Sequence, residues 1–246
     1  MVLFLTSSPC DDDVPAHMHL PCCYFTRNEF VANLKKYWKQ DSHVVIIAAN
    51  SDAYDLNDEM AFTFRRCFFY HGMVPETYIL LDGRNKEQTK ELVERADFII
   101  LGGGHVPTEM KFFNEIHLRE YMKEFDGVVM GISAGSMNTA ERVYAMPEEP
   151  GEGIDPHFVK HFPGLGLTKY NIIPHYNREK DSILDGFKLV EELIYPDSHG
   201  EEYYVLNDGS YILQVDGDAK LYGDAWIIHD GRLNKICDEE ESIELD

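Results

Sequence analysis

The sequence predicts an α/β protein with a mostly parallel, doubly wound sheet that closes in C-terminal antiparallel hairpins. Three observations carry that expectation. Near-continuous apolar runs, His43 to Ala49 and Asp97 to Leu101, are what parallel strands covered on both faces require. Segments with apolar residues at helical spacing separate such runs, which is the rhythm of βαβ units. After Tyr203 the pattern changes to short runs broken by Asn207-Asp208-Gly209, Asp216-Gly217-Asp218 and Asp230-Gly231, the turn signals of hairpins.

Taken in order, Val2 to Leu5 reads as the first strand and Thr6-Ser7-Ser8-Pro9 as its loop. The segment Cys10 to Cys23 carries an acidic triplet, two prolines and His17-Met18-His19 ahead of Cys22-Cys23. That spacing matches no standard zinc motif, so a solvated loop is expected. Asn28 is placed to cap a helix in which Phe30, Val31, Leu34, Tyr37 and Trp38 recur at helical spacing. Leu56 to His71 has helix character and stops at Gly72, and its rings (Phe62, Phe64, Phe68, Phe69, Tyr70) are expected to pack. Thr77 to Leu81 is a strand, Lys86 to Arg95 a polar helix, and Thr108 to Phe125 a helical stretch in one or two pieces. Met146 to Pro163 reads as loop, Asn171 to Tyr176 as a strand stopped by Pro174, and Asp181 to Ile194 as a helix with an apolar stripe of Ile183, Phe187, Val190 and Ile194. The hairpins should close one edge of the sheet, and the acidic tail Asp238 to Asp246 should fray.

At 246 residues and 44% hydrophobic content the chain can bury a full core as one domain, residues 1–246, with no repeat or linker to divide it. Lys+Arg of 22 against Asp+Glu of 44 gives a net charge of −22, which argues against nucleic acid or an anionic membrane as partner. No apolar run reaches the roughly 18 residues of a membrane span, and the N-terminus lacks a signal peptide's basic flank, so a cytoplasmic protein is expected. Five unpatterned cysteines argue against structural disulfides. Either a monomer or a homodimer is compatible with this composition.

The chemistry centres on Gly131-Ile132-Ser133-Ala134-Gly135. A buried strand that breaks into Gly-x-Ser-x-Gly and then a helix is a nucleophile elbow, with the serine at the apex of a sharp turn. Such a serine needs a base and a carboxylate to orient it. His175 follows a strand and a proline, at the sheet edge where parallel α/β proteins build sites; His157 is its main rival. Asp208, in the turn after Tyr203 to Leu206, is the candidate carboxylate. Gly102-Gly103-Gly104 ends the preceding strand without either phosphate-loop pattern, and suits an oxyanion donor better than a phosphate cradle. No metal and no cofactor is expected.

These four motifs, Gly102-Gly103-Gly104, Gly131 to Gly135, Ile173-Pro174-His175-Tyr176 and Leu206-Asn207-Asp208-Gly209, together resemble the serine peptidase family that contains aspartyl dipeptidase (peptidase E) and the cyanophycinases. The resemblance implies a fold similar to class I glutamine amidotransferase domains, a flavodoxin-like arrangement. It implies Ser133 as nucleophile, His175 as general base, and the N–H groups of Gly104 and Ala134 as the oxyanion hole. Asp208 stands where the family looks to have a glutamate. The dipeptidase branch acts on peptides with an N-terminal aspartate, which calls for a cation; Arg178 is the nearest, with Lys180 and Arg142 as alternatives. The implied activity is serine-type exopeptidase or dipeptidase action on small peptides. An α/β-hydrolase esterase shares Gly-x-Ser-x-Gly, but there the acid precedes the histidine. A binding or stress-response protein on the same scaffold is the non-enzymatic alternative.

Overall fold

The computed structural model describes residues 1–11, 14 and 22–246, so the His17 and His19 of the sequence motif lie outside the described residues. The frame is an eight-stranded sheet. In spatial order its strands are Ser242–Leu245, Asp218–Tyr222, Tyr211–Val215, Val2–Thr6, Val128–Ile132, Phe98–Leu101, His43–Ile47 and Thr77–Leu81. The five from Val2–Thr6 to Thr77–Leu81 run parallel to one another, and the first three are antiparallel additions.

The apolar runs of the parallel strands divide between the two faces because side chains alternate along a strand. Leu3, Leu5, Val45, Ile47, Ile99, Leu101 and Val129 point into one core, shared with the helices Val106–Glu115 and Leu118–Met122. Phe4, Val44, Ile46, Ile100 and Met130 point into the other, shared with the helices Phe30–Tyr37 and Tyr54–Tyr70. Burial on both faces is the reason these strands read as unbroken hydrophobic runs.

A second sheet of four strands, in the order Asn171–Ile173, Glu202–Leu206, Ala225–His229, Arg232–Cys237, packs into the first of these cores. Here the structure departs from the sequence reading. The C-terminal strands do not all close one edge: Glu202–Leu206, Ala225–His229 and Arg232–Cys237 belong to this separate sheet, and the others extend the main one.

The helix expected over Asp181 to Ile194 forms only from Leu189; before it, Ile183–Leu184 and Phe187–Lys188 make a small hairpin. Asp185 and Gly186 between them have φ of 53° and 89°, which a helix cannot accommodate. The Asp185 carboxylate accepts hydrogen bonds from the N–H groups of Gly151 and Gly153, locking the turn in place. Of the expected apolar stripe, Val190 and Ile194 are buried, whereas Ile183 and Phe187 in the hairpin are exposed.

The acidic tail is also ordered, because Ser242–Leu245 pairs with Asp218–Tyr222. Asn28 is not a helix cap. Its amide donates to the Gly209 carbonyl at 2.8 Å and accepts from the N–H of Glu240 at 2.8 Å, tying the tail to the helix start. Of the ring cluster on Tyr54–Tyr70, Phe68 is buried, whereas Phe62, Phe69 and Tyr70 lie on the outer face. Cys23, placed by sequence in a solvated loop, is buried in the short strand Cys23–Tyr24, which pairs with Cys10–Asp11.

Candidate active site

Three neighbouring strands of the main sheet end at one place: Val2–Thr6 runs into Ser7, Phe98–Leu101 into Gly102-Gly103-Gly104, and Val128–Ile132 into Ser133. The carboxyl edge of a parallel sheet is where such folds form clefts. Ser133 has φ 51° and ψ −113°, a backbone geometry that residues other than glycine rarely adopt. The surroundings enforce it. The Ser133 N–H donates to the carbonyls of Thr6 and Ser7, at 3.0 Å each, and the Ser136 hydroxyl donates to the Thr6 carbonyl at 2.9 Å. The flanking glycines are needed for the turn to close: a Cβ on Gly131 would lie 2.6 Å from the Ser136 backbone, and one on Gly135 would lie 2.6 Å from the Gly102 carbonyl oxygen.

The imidazole and the carboxylate come from the second sheet. Asn171–Ile173 and Glu202–Leu206 are parallel neighbours, with Ile173 opposite Val205, so their carboxyl ends deliver His175 and Asp208 side by side. Pro174 stops the strand, and His175 turns the chain at φ 60°, ψ 30° into the short helix Tyr176–Glu179. His175 Nε2 is 2.9 Å from Ser133 Oγ, and Nδ1 is 2.6 Å from Asp208 Oδ1. With Nδ1–H donated to the carboxylate, Nε2 is left with its lone pair toward the serine hydroxyl. In that tautomer the imidazole can take the proton of Oγ, and the resulting cation is stabilised by Asp208.

Burial alone would raise the Asp208 carboxyl. The hydrogen bond and charge of His175, the Ser7 hydroxyl and the nearby Arg178 outweigh it and hold the group below the usual carboxylate range. Ser7 joins the two sheets: its hydroxyl accepts from the His175 N–H at 2.7 Å and donates to Asp208 Oδ1 at 2.7 Å. Sequence reasoning does not single out Ser7, although its place directly after the first strand of a parallel sheet is a usable signal.

The other expected residues are placed as follows. Ala134 opens the helix Ala134–Met137, so its N–H has no acceptor within that helix. Gly104 lines the same cavity as Ser133, of about 560 Å³, and a Cβ there would meet the Ala49 Cβ at 2.7 Å. Gly103 lines it too and sits closer to Ser133, since its Cβ would lie 3.6 Å from that of Ser133. His157, the rival base, lines a different cavity with Phe158 and Arg119.

None of the three cations expected to meet an acidic substrate, Arg178, Lys180 and Arg142, lines the cavity with Ser133. Arg178 Nη2 lies 3.3 Å from Asp208 Oδ2 and crowds the His175 ring, and its side chain is 62% exposed. Arg142 pairs with Glu201. The cavity that Ser133 opens into is lined instead by Glu148 and Glu179, together with apolar side chains such as Met146 and Leu184. Burial, reinforced by the charges of Glu152, Glu179 and Glu149, pushes the Glu148 carboxyl up to about 7. Its loop is held by Glu152, whose one carboxylate oxygen accepts from the N–H groups of Glu148 and Glu149 and whose other meets His105 Nε2 at 2.8 Å.

An α/β fold with this elbow at its sheet edge is the frame of a hydrolase that works through a serine. The chain belongs to Peptidase family S51, whose model matches residues 27–222. Among solved structures it is similar to a peptidase from an acI-B1 Actinobacterium, at TM-score 0.64 and 18% identity, covering 99% of this chain and 96% of that one. It is also similar to a putative peptidase E protein from Listeria monocytogenes EGD-e, at TM-score 0.54 and 16% identity, covering 89% and 96%. A search of curated protein sequences finds no match. Among the described residues no helix is long and apolar enough to cross a membrane.

Proposed function

We propose that this serine peptidase acts on short peptides through Ser133 as nucleophile, His175 as general base and Asp208 as the carboxylate that orients it. The supporting observation is the continuous chain from Ser133 Oγ through His175 to Asp208, at 2.9 and 2.6 Å, opening into a cavity. Attack by Oγ on the scissile carbonyl passes the hydroxyl proton to Nε2, and the imidazolium then gives it to the leaving amine. The acyl-enzyme is hydrolysed by water activated in the same way. The N–H groups of Ala134 and of Gly104, with Gly103 beside it, are the donors for the developing oxyanion.

The same cavity supports a preference for substrates with a free N-terminus. Its ionisable walls, Glu148 and Glu179, are carboxylates suited to a substrate ammonium, and its apolar side chains suit a small hydrophobic residue. A dipeptide with an N-terminal acidic residue, the preference that the family's dipeptidase branch suggests, has no free cation among the lining residues to receive it. Release of free amino acids from a dipeptide panel, compared with the N-acetylated forms, tests both points. Turnover of unblocked neutral dipeptides that is lost in Ser133→Ala supports the reading. Equal turnover of the acetylated forms would remove the exopeptidase part of it, and turnover surviving in Ser133→Ala would remove the whole.

A further inference from the structure

Four of the five cysteines gather at one corner of the molecule, away from the nucleophile. Cys10 lies on Cys10–Asp11, opposite Tyr24 of the paired strand, and Cys22, two residues before Tyr24, shares that face. Tyr24 packs edge-on against Phe68 and stacks on Phe64, so this strand pair lies along the helix Tyr54–Tyr70 that carries Cys67. The Sγ atoms of Cys10, Cys22 and Cys67 consequently lie within 4.8 Å of one another. Cys67 is buried, while Cys10 and Cys22 are only half-buried, so the cluster has a side open to solvent. Next to it Cys23 Sγ meets His71 Nε2 at 3.3 Å.

We propose that Cys10, Cys22 and Cys67 form a binding site for one thiophilic closed-shell metal ion, Zn²⁺ or Cu⁺. Packing alone would call for apolar groups sealed from water, and a disulfide would join two sulfurs and strand the third. Three sulfurs from two separate elements, mutually within reach of one centre, match the demand of a soft cation instead. Thiolates around zinc at about 2.3 Å stand roughly 3.8 Å apart, a small contraction of the cluster seen here. Binding takes the three sulfurs as thiolates and releases their protons to solvent. Cu⁺ is satisfied by three sulfurs; Zn²⁺ takes a water as fourth ligand on the open side. The ion would clamp both ends of the 10–22 segment to the helix. Through the Cys10 N–H, which donates to the Ser8 hydroxyl at 3.3 Å, it would brace the loop that carries Ser7.

The test uses the full-length protein, reduced and stripped of metal, given one equivalent of Zn²⁺ or Cu⁺ in separate arms. Native mass spectrometry after buffer exchange should show one ion per chain in at least one arm, and chelator competition tells which ion is preferred. Alkylation followed by peptide mapping should show Cys10, Cys22 and Cys67 protected by the ion. Cys22→Ser and Cys67→Ser should weaken binding by more than the roughly ten- to hundredfold that loss of an outer-shell partner costs, and Cys237→Ser should leave it unchanged. Mapping the wild-type protein keeps the test valid if a variant fails to fold. No retained ion in either arm, or protection that persists in Cys22→Ser, overturns the site. So does a disulfide between two of these cysteines in protein isolated without reductant, if no ion binds after its reduction.

Discussion

The two halves of the proposed active site, the nucleophile half around Ser133 and the base half around His175 and Asp208, are built on different principles. The nucleophile half is part of the main sheet: Ser133 is bonded through its own N–H to Thr6 and Ser7, and its turn closes only because Gly131 and Gly135 have no side chains. The base half is carried by the smaller sheet, where two short parallel strands end in His175 and Asp208 and no comparable backbone strain is needed. The αL conformation of His175 is mild for a residue next to a proline-stopped strand, whereas φ 51° with ψ −113° at Ser133 is not. The nucleophile is therefore positioned by the fold, and the base by side-chain hydrogen bonds that cross from one sheet to the other. Substitutions in the two halves should fail in correspondingly different ways.

The largest effects come from the reacting groups. Ser133→Ala should abolish turnover, and His175→Asn, which keeps the αL backbone accessible, should lower kcat by about 10³-fold or more. Denaturant unfolding of both variants should match the wild type, separating chemistry from stability. Asp208→Asn cannot hold the Nδ1–H tautomer and should cost roughly 10²- to 10⁴-fold in kcat. If kcat is unchanged there, the base half works without its carboxylate and side-chain hydrogen bonds do not position the imidazole.

A smaller effect is expected at the join. Ser7→Ala removes one bond to the His175 backbone and one to a carboxylate, with hydrogen bonds to charged groups worth about 1.5–3 kcal/mol. It should lower kcat by roughly ten- to a hundredfold with KM little changed, and equal effects on kcat and KM would make Ser7 a general structural residue.

The smallest effect concerns pH. Glu148, with its carboxyl raised to about 7, is neutral below that pH and anionic above it. KM for unblocked dipeptides should therefore fall as pH rises through about 7, and this step should vanish in Glu148→Gln and for N-acetylated substrates. The linkage sign for stability is the opposite. The folded state holds the proton more tightly than the unfolded one, so the Glu148 contribution to stability declines between the ordinary carboxyl range and pH 7.

Much of the nucleophile half is legible in the sequence, because a doubly covered parallel strand has no polar face to confuse the reading and a serine between two glycines at its end marks a sharp turn. His175 is legible through Pro174. The sheet that carries it is not, since its strands are short and nothing local says which sheet they join. The hairpin over Ile183 to Lys188 is hidden for a related reason: apolar residues four apart fit a helix until the Asp185-Gly186 turn is recognised. Clustering of Cys10, Cys22 and Cys67 depends on a strand pair lying on a distant helix, which residue spacing does not encode.

Whether the base half activates the fold-positioned serine can be read by labelling with a fluorophosphonate and mapping the adduct by mass spectrometry. The expected result is a single adduct on Ser133, formed rapidly in the wild type, slowed by orders of magnitude in His175→Asn and absent in Ser133→Ala. Labelling of Ser133 at an unchanged rate in His175→Asn, or an adduct on another serine, would show that His175 does not activate Ser133.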